Sequence, residues 1–109
     1  MTREELLPNE LLERIPPLLS NAETPTDEII IYVKYFLASF TWLVAECEVI
    51  DNDVRFYGYT INTNELHFSE WGSFTLNQLM EIKLYGVLGV ERDLYFEECT
   101  FSEYMEKGT

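Results

Sequence analysis

The chain reads as an α+β domain: a four- to five-stranded, largely antiparallel sheet with at least two short helices. Three observations carry that expectation. Phe40–Ile61 holds two runs of β-branched and aromatic residues around the turn-type tripeptide Asp51-Asn52-Asp53, the pattern of a hairpin. Within Asp27–Leu37, residues 29–36 alternate, with a charge, Lys34, on only one of the two faces. After Thr75, a good helix cap, Leu76, Leu79, Met80 and Leu84 recur at helical spacing.

In chain order, residues 2–8 are a polar lead-in with room for one helical turn. Asn9 caps a short helix carrying Leu11, Leu12 and Ile15, which Pro16 and Pro17 end. Ser20–Thr26 is a loop. In the strand Asp27–Leu37, the uncharged face Ile29, Ile31, Val33 and Tyr35 should meet the core. A weakly signalled turn at Ala38-Ser39 follows. The next strand places Leu43, Ala45, Cys47 and Val49 on one face. Trp42, Val44, Glu46 and Glu48 lie on the other, which the carboxylates mark as outer, so Trp42 sits on the solvated side or beneath a covering element. Beyond the turn, Val54, Phe56 and Gly58 alternate with Arg55, Tyr57 and Tyr59, and Gly58 marks a bulge or a close approach. Arg55 is within cross-strand reach of Glu48 or Glu46. Glu65–Trp71 reads as a fourth strand broken by Gly72. A helix runs from Thr75 to Leu84, and Gly86 ends it. Asp93–Cys99 reads as a last strand with Leu94 and Phe96 inward, and Thr100–Met105 as one helical turn.

At 109 residues the chain is one domain, residues 1–109, with enough length for a core that needs no staples. Its 47% apolar and 15% aromatic content excludes intrinsic disorder and leaves some aromatics for the surface. Twenty acids against seven Lys and Arg give a net charge of −13. A globule of this size has a radius of gyration of about 13 Å. Duplex DNA as long as its diameter carries about 20 phosphates. The charge thus disfavours direct nucleic-acid binding and allows competition with nucleic acid for a basic protein partner. Cys47 and Cys99 lack metal-site spacing. No apolar leader precedes them, and the longest uncharged run, Tyr35–Ala45, is too short to span a bilayer. A cytoplasmic protein with reduced thiols is expected.

No catalytic, metal or cofactor site is expected. His67 is the only histidine and has no partner at fixed spacing, so a solvated residue outweighs a ligand. Cys47 falls on the expected core face and Cys99 closes a strand, so both read as packed residues. Glu46 and Glu48 project from one face, where solvation outweighs acid–base work. In Glu91-Arg92-Asp93 the arginine is expected to lock a loop through a carboxylate. The glycines form no phosphate loop. Aromatics ringed by acids fit a protein-binding surface better than a base-stacking one.

Thr41-Trp42, Glu46, Phe56-Tyr57-Gly58-Tyr59, Glu65-Leu66, Trp71-Gly72-Ser73-Phe74-Thr75-Leu76 and Val90-Glu91-Arg92-Asp93-Leu94-Tyr95-Phe96 occur here in that order. With Ile15-Pro16-Pro17-Leu18 and Ile31–Phe36, this order resembles domain-of-unknown-function family 2958. Ser73 stands where that family tends to have an aromatic, and the loop before Thr41-Trp42 is shorter. The resemblance implies an uncharacterised bacterial protein of mobile elements, with no known activity. Together with the charge, it leads to a functional expectation: a non-catalytic, acidic protein-binding module, acting as an anti-defence inhibitor of the anti-CRISPR or anti-restriction kind. Its partner would be a basic nuclease or CRISPR effector. Trp42, Glu46, Glu48, Asp51, Asp53 and Tyr57 would form the contact. The alternatives are a small metal-dependent hydrolase built on His67 and a structural subunit that oligomerises through its aromatic face.

Overall fold

The computed structural model describes residues 1–107. It opens with two short helices, α1 (Arg3–Leu6) and α2 (Asn9–Arg14). Strands β1 (Ile30–Ile31), β2 (Val33–Leu37), β3 (Phe40–Ile50), β4 (Asp53–Asn62) and β5 (Glu70–Thr75) follow. The helix α3 (Leu76–Glu81) leads into β6 (Lys83–Leu84), β7 (Leu88–Gly89) and β8 (Glu91–Arg92), and the chain closes with β9 (Cys99–Thr100) and α4 (Phe101–Lys107). The main sheet has the order β5-β4-β3-β2-β8, antiparallel throughout. Small pairs β1-β9 and β6-β7 stand beside it. The fold is therefore α+β, as the sequence predicts.

The sheet is covered on both sides. One face packs Tyr35, Trp42, Val44, Val54, Phe56 and Phe74 against Leu6, Ile15, Leu76 and Leu79 from the helical side. The other packs Leu43 and Ala45, with Tyr59 and Trp71, against Phe101 and Tyr104 of α4 and Ile29 and Ile31 near β1. The radius of gyration is 13.3 Å.

The central hairpin forms where the residues predict it, with a two-residue connection. Ile50 pairs with Asp53, so Asp53 belongs to the strand rather than to the turn. Leu37 likewise pairs with Phe40 across Ala38-Ser39, which confirms that turn. In β3 the register slips between Val44 and Glu46. The extra residue of this bulge puts Ala45 and Glu46 inward, one after the other. Gly58 lies opposite Val44, and a Cβ there would come within 1.8 Å of the Leu43 carbonyl oxygen. The glycine is thus the close-approach site its position predicts.

Several expectations are corrected. Asp27–Leu37 is not one strand: a 3-10 turn (Thr26–Glu28) comes first, and Tyr32 separates β1 from β2. Ile29, Ile31, Val33 and Tyr35 are all buried, but that break sends the first two to one side of the sheet and the last two to the other. Glu65–Trp71 is a 3-10 turn (Leu66–Phe68) followed by β5, which runs through Gly72 to Thr75. Thr75 caps α3 reciprocally with Gln78, yet the helix ends at Glu81. Pro8, not Asn9, occupies the cap position of α2. Asp93–Cys99 is a turn at Leu94-Tyr95 followed by irregular chain, with only Cys99 in a strand (β9); Leu94 is exposed, while Phe96 packs against the core. Arg92 Nε donates to the Glu5 carbonyl (2.8 Å) instead of to a carboxylate, pinning α1 to β8.

Candidate protein-binding surface

The six residues expected to form the contact do not share one surface. Trp42 is buried on the helical side of the sheet, stacked on Phe40 at 5.8 Å between centroids. Of the two placements the sequence leaves open for it, the solvated side and beneath a covering element, the second is found: helices cover that side. Glu46 is 4% exposed. Its carboxylate accepts the Leu19 N–H (2.9 Å) and the Asn21 N–H (2.9 Å), closing the loop after Pro17. It is a structural anchor, directed inward by the bulge, and offers no surface to a partner.

Asp53 is structural as well. Its Oδ1 accepts the Val54 N–H (2.7 Å) and the Asn77 N–H at the start of α3 (3.0 Å). Slight burial pushes its carboxyl up. The Asn77 and Val54 N–H groups outweigh it, helped by the Thr75 hydroxyl and the Arg3 charge, and hold it below the ordinary value of 3.8. Arg3 completes this corner by donating to Asn77 Oδ1 (2.6 Å) and to the Asn52 carbonyl (2.9 Å).

Glu48, Asp51 and Tyr57 remain at the surface. Glu48 is exposed and pairs in register with Arg55; Asp51 is exposed at the hairpin turn. Tyr57 is half-buried and stacks on Trp71 (5.8 Å, 19° between planes). Its cross-strand neighbour on β5 is the exposed Ser73. The aromatic stack thus shares its face of the sheet with the exposed acid Glu48 on β3, whereas Glu70 on β5 lies on the opposite face.

The surface as a whole is acidic. Of the 20 acids, 17 are exposed; Glu46, Asp53 and Asp93 are not. Three of the seven cations, Arg3, Lys34 and Arg92, are half-buried. A cleft of about 390 Å³ gathers Arg14, Lys34 and Arg92, but Asp93, Glu97 and Glu98 line it too. Arg14 pairs with Glu98, and Lys34 with Asp93 at 3.8 Å, so the cleft is balanced in charge.

Candidates for chemistry are dispersed. His67 sits in the 3-10 turn, exposed, 3.7 Å from the Glu65 carboxylate and against the Phe68 ring. Among the described residues no three of His, Cys, Asp or Glu are grouped to hold a metal ion. Cys47 is buried, which raises its thiol pKa, and Cys99 is half-buried with the same direction and cause. No helix among the described residues is long and apolar enough to cross a membrane.

Sequence reasoning missed the exposed apolar side chains outside the hairpin. Leu66 and Phe68 are 66% and 65% exposed where a strand was expected, and Tyr95 is 93% exposed. The signal available was negative: polar or turn-forming neighbours such as Asn64 and Asp93 interrupt both alternations.

No curated protein and no solved structure matches this chain. A family model described as "Protein of unknown function (DUF2958)" matches residues 6–109, essentially the whole sequence. The order of motifs from Ile15 to Phe96 and this match agree: the chain belongs to the DUF2958 family.

Proposed function

We propose that this protein is a non-catalytic binding module whose partner is a protein with a basic, nucleic-acid-binding surface. The observation that supports it is the charge arrangement: 17 exposed acids, with three of the seven cations drawn into packing. Such a field speeds encounter with a basic surface and competes with phosphates for the same lysines and arginines. The mobile-element setting implied by the family resemblance makes a host nuclease or CRISPR effector the partner class, and inhibition by competition the mechanism. Glu48 and Asp51 supply surface charge at the hairpin, and Tyr57 supplies an aromatic anchor. Glu46, Asp53 and Trp42 hold the scaffold.

The test is capture from host lysate on the tagged protein at low salt. We expect nucleic-acid-binding proteins that are released by high salt and by added DNA or RNA. Replacing Glu48 and Asp51 together by lysine should weaken capture. Recovery of no macromolecule at low salt, or retention indifferent to both salt and nucleic acid, would overturn the reading.

A further inference from the structure

The main sheet ends on β8, of two residues, at one side and on β5, of six, at the other. Register shows which backbone groups of β5 face outward. The two-residue connection between β3 and β4 makes Ile50 and Asp53 a mutually hydrogen-bonded pair. Alternation then turns the N–H and C=O of Arg55, Tyr57 and Tyr59 toward β3, and those of Phe56, Gly58 and Thr60 toward β5. Two further bonds agree. Thr63 N–H donates to the Ser39 carbonyl on the β3 side, and Asn62 N–H to Ser69 Oγ on the β5 side. Glu70, Gly72 and Phe74, the partners of Thr60, Gly58 and Phe56, therefore face β4. Trp71 and Ser73 turn their N–H and C=O groups outward. The outward N–H of Thr75 is already taken by Gln78 (2.8 Å).

Beyond the charge of Glu70 at its first residue, β5 lacks the devices that usually blunt a sheet edge: it has no proline, no lysine and no register slip. Its surroundings select an occupant. Leu66 and Phe68 expose apolar area on the turn before it, the Tyr57–Trp71 stack flanks it, and Glu65 and Glu70 are exposed acids. A Cβ at Gly72 would meet nothing within 4 Å, so one face of the edge has room for a neighbour's side chain. A second copy would bring another −13 to this place. A cationic strand meets complementary charge instead.

We propose that β5 is a docking edge which takes up an extended segment of alternating cationic and apolar residues by strand addition, through the backbone of Trp71 and Ser73. This deepens the proposed function and rests on its basic partner.

The test uses a blocked peptide of alternating lysine and valine, as long as β5, with hydrogen exchange read amide by amide. We expect exchange at Trp71 and Ser73 to slow by about tenfold or more on saturation, as for amides entering a ladder. Ser73→Pro removes one outward donor at a position where an edge strand tolerates proline. It should unfold cooperatively and lose the peptide's protection of Trp71, while Ser73→Thr keeps it. If Ser73→Pro does not fold, a peptide N-methylated at alternate amides replaces it against the wild type, and protection should again vanish. Salt-sensitive peptide binding with no slowing at Trp71 and Ser73 would overturn the docking edge and leave the charge reading standing. Absence of binding at low salt would overturn both. Slow exchange in the protein alone that fades on dilution would place a second copy there and also overturn it.

Discussion

Glu46 and Asp53 show what a carboxylate does once it accepts backbone donors. Glu46 holds Leu19 and Asn21 from inside the protein. Removing it leaves two N–H groups without a partner, at about 1–3 kcal/mol each when water is excluded. Leu19 is exposed, so water recovers part of that. We expect Glu46→Ala to cost about 1–3 kcal/mol in denaturant unfolding. Proteolysis within residues 18–24 should accelerate, and Glu46→Gln, which keeps one acceptor, should fall between Ala and the wild type. Asp53 gives a pH signature. Its folded pKa lies below 3.8, so its contribution is fully present above that pH and is lost as pH falls through the lower, folded value. Asp53→Asn should therefore melt at a lower temperature than the wild type at neutral pH. The gap should close in acid below 3.8; a gap that persists there would assign the effect to shape rather than charge.

At the scale of elements, two glycines that face each other across β4 and β5 make opposite predictions. Gly58→Ala places a methyl against the Leu43 carbonyl at the bulge. It should cost at least the upper end of the about 1–3 kcal/mol typical of overpacking. Gly72→Ala meets open space and should be neutral or stabilising by about 0.5–1 kcal/mol, through the unfolded chain. Paired urea titrations check both. Thr75→Ala, which deletes the reciprocal cap of α3, should cost about 1 kcal/mol. The hairpin was legible because its turn chemistry and its β-formers agree. So was the cap at Thr75, and Gly58 signalled its own crowding. The orientation of Trp42 and Glu46 was not legible, for a physical reason. An alternating strand shows which residues share a face, but not that helices cover both faces. A single bulge residue, Ala45, then reverses the alternation after it. Residues 93–98 are not a strand although Leu94 and Phe96 imitate a strand's period. The Asp93 carboxylate instead accepts the Tyr95 N–H and makes a turn.

For the whole molecule, net −13 acts in two directions. Within the chain, acids repel one another, and salt that shortens the screening length from about 10 Å at 0.1 M to about 3 Å at 1 M relieves them. The melting temperature should therefore rise with sodium chloride over that range. Between the protein and a basic partner the same salt removes attraction, so affinity should fall while stability rises. Calorimetry of the free protein and titration of the complex in one salt series measure both slopes. Slopes of the same sign would count against electrostatic recruitment. The acids that stay exposed, Glu48 and Asp51 among them, set this behaviour, whereas Glu46 contributes to the scaffold.

The pairing of β9 with β1 has a kinetic consequence. Strands β2 to β5 join neighbours in sequence through turns, and such contacts close quickly. Ile30 must wait for Thr100, and the carbonyl of Ile29 for the amide of Phe101. During synthesis the central strands therefore emerge with Leu43, Ala45, Tyr59 and Trp71 lacking the cover of Phe101 and Tyr104 until residues 99–107 follow. A chain shortened before Cys99 should retain the strands' ultraviolet signature, bind a hydrophobic dye and associate. The same residues supplied as a separate peptide should suppress that association if the final segment works as a late clasp.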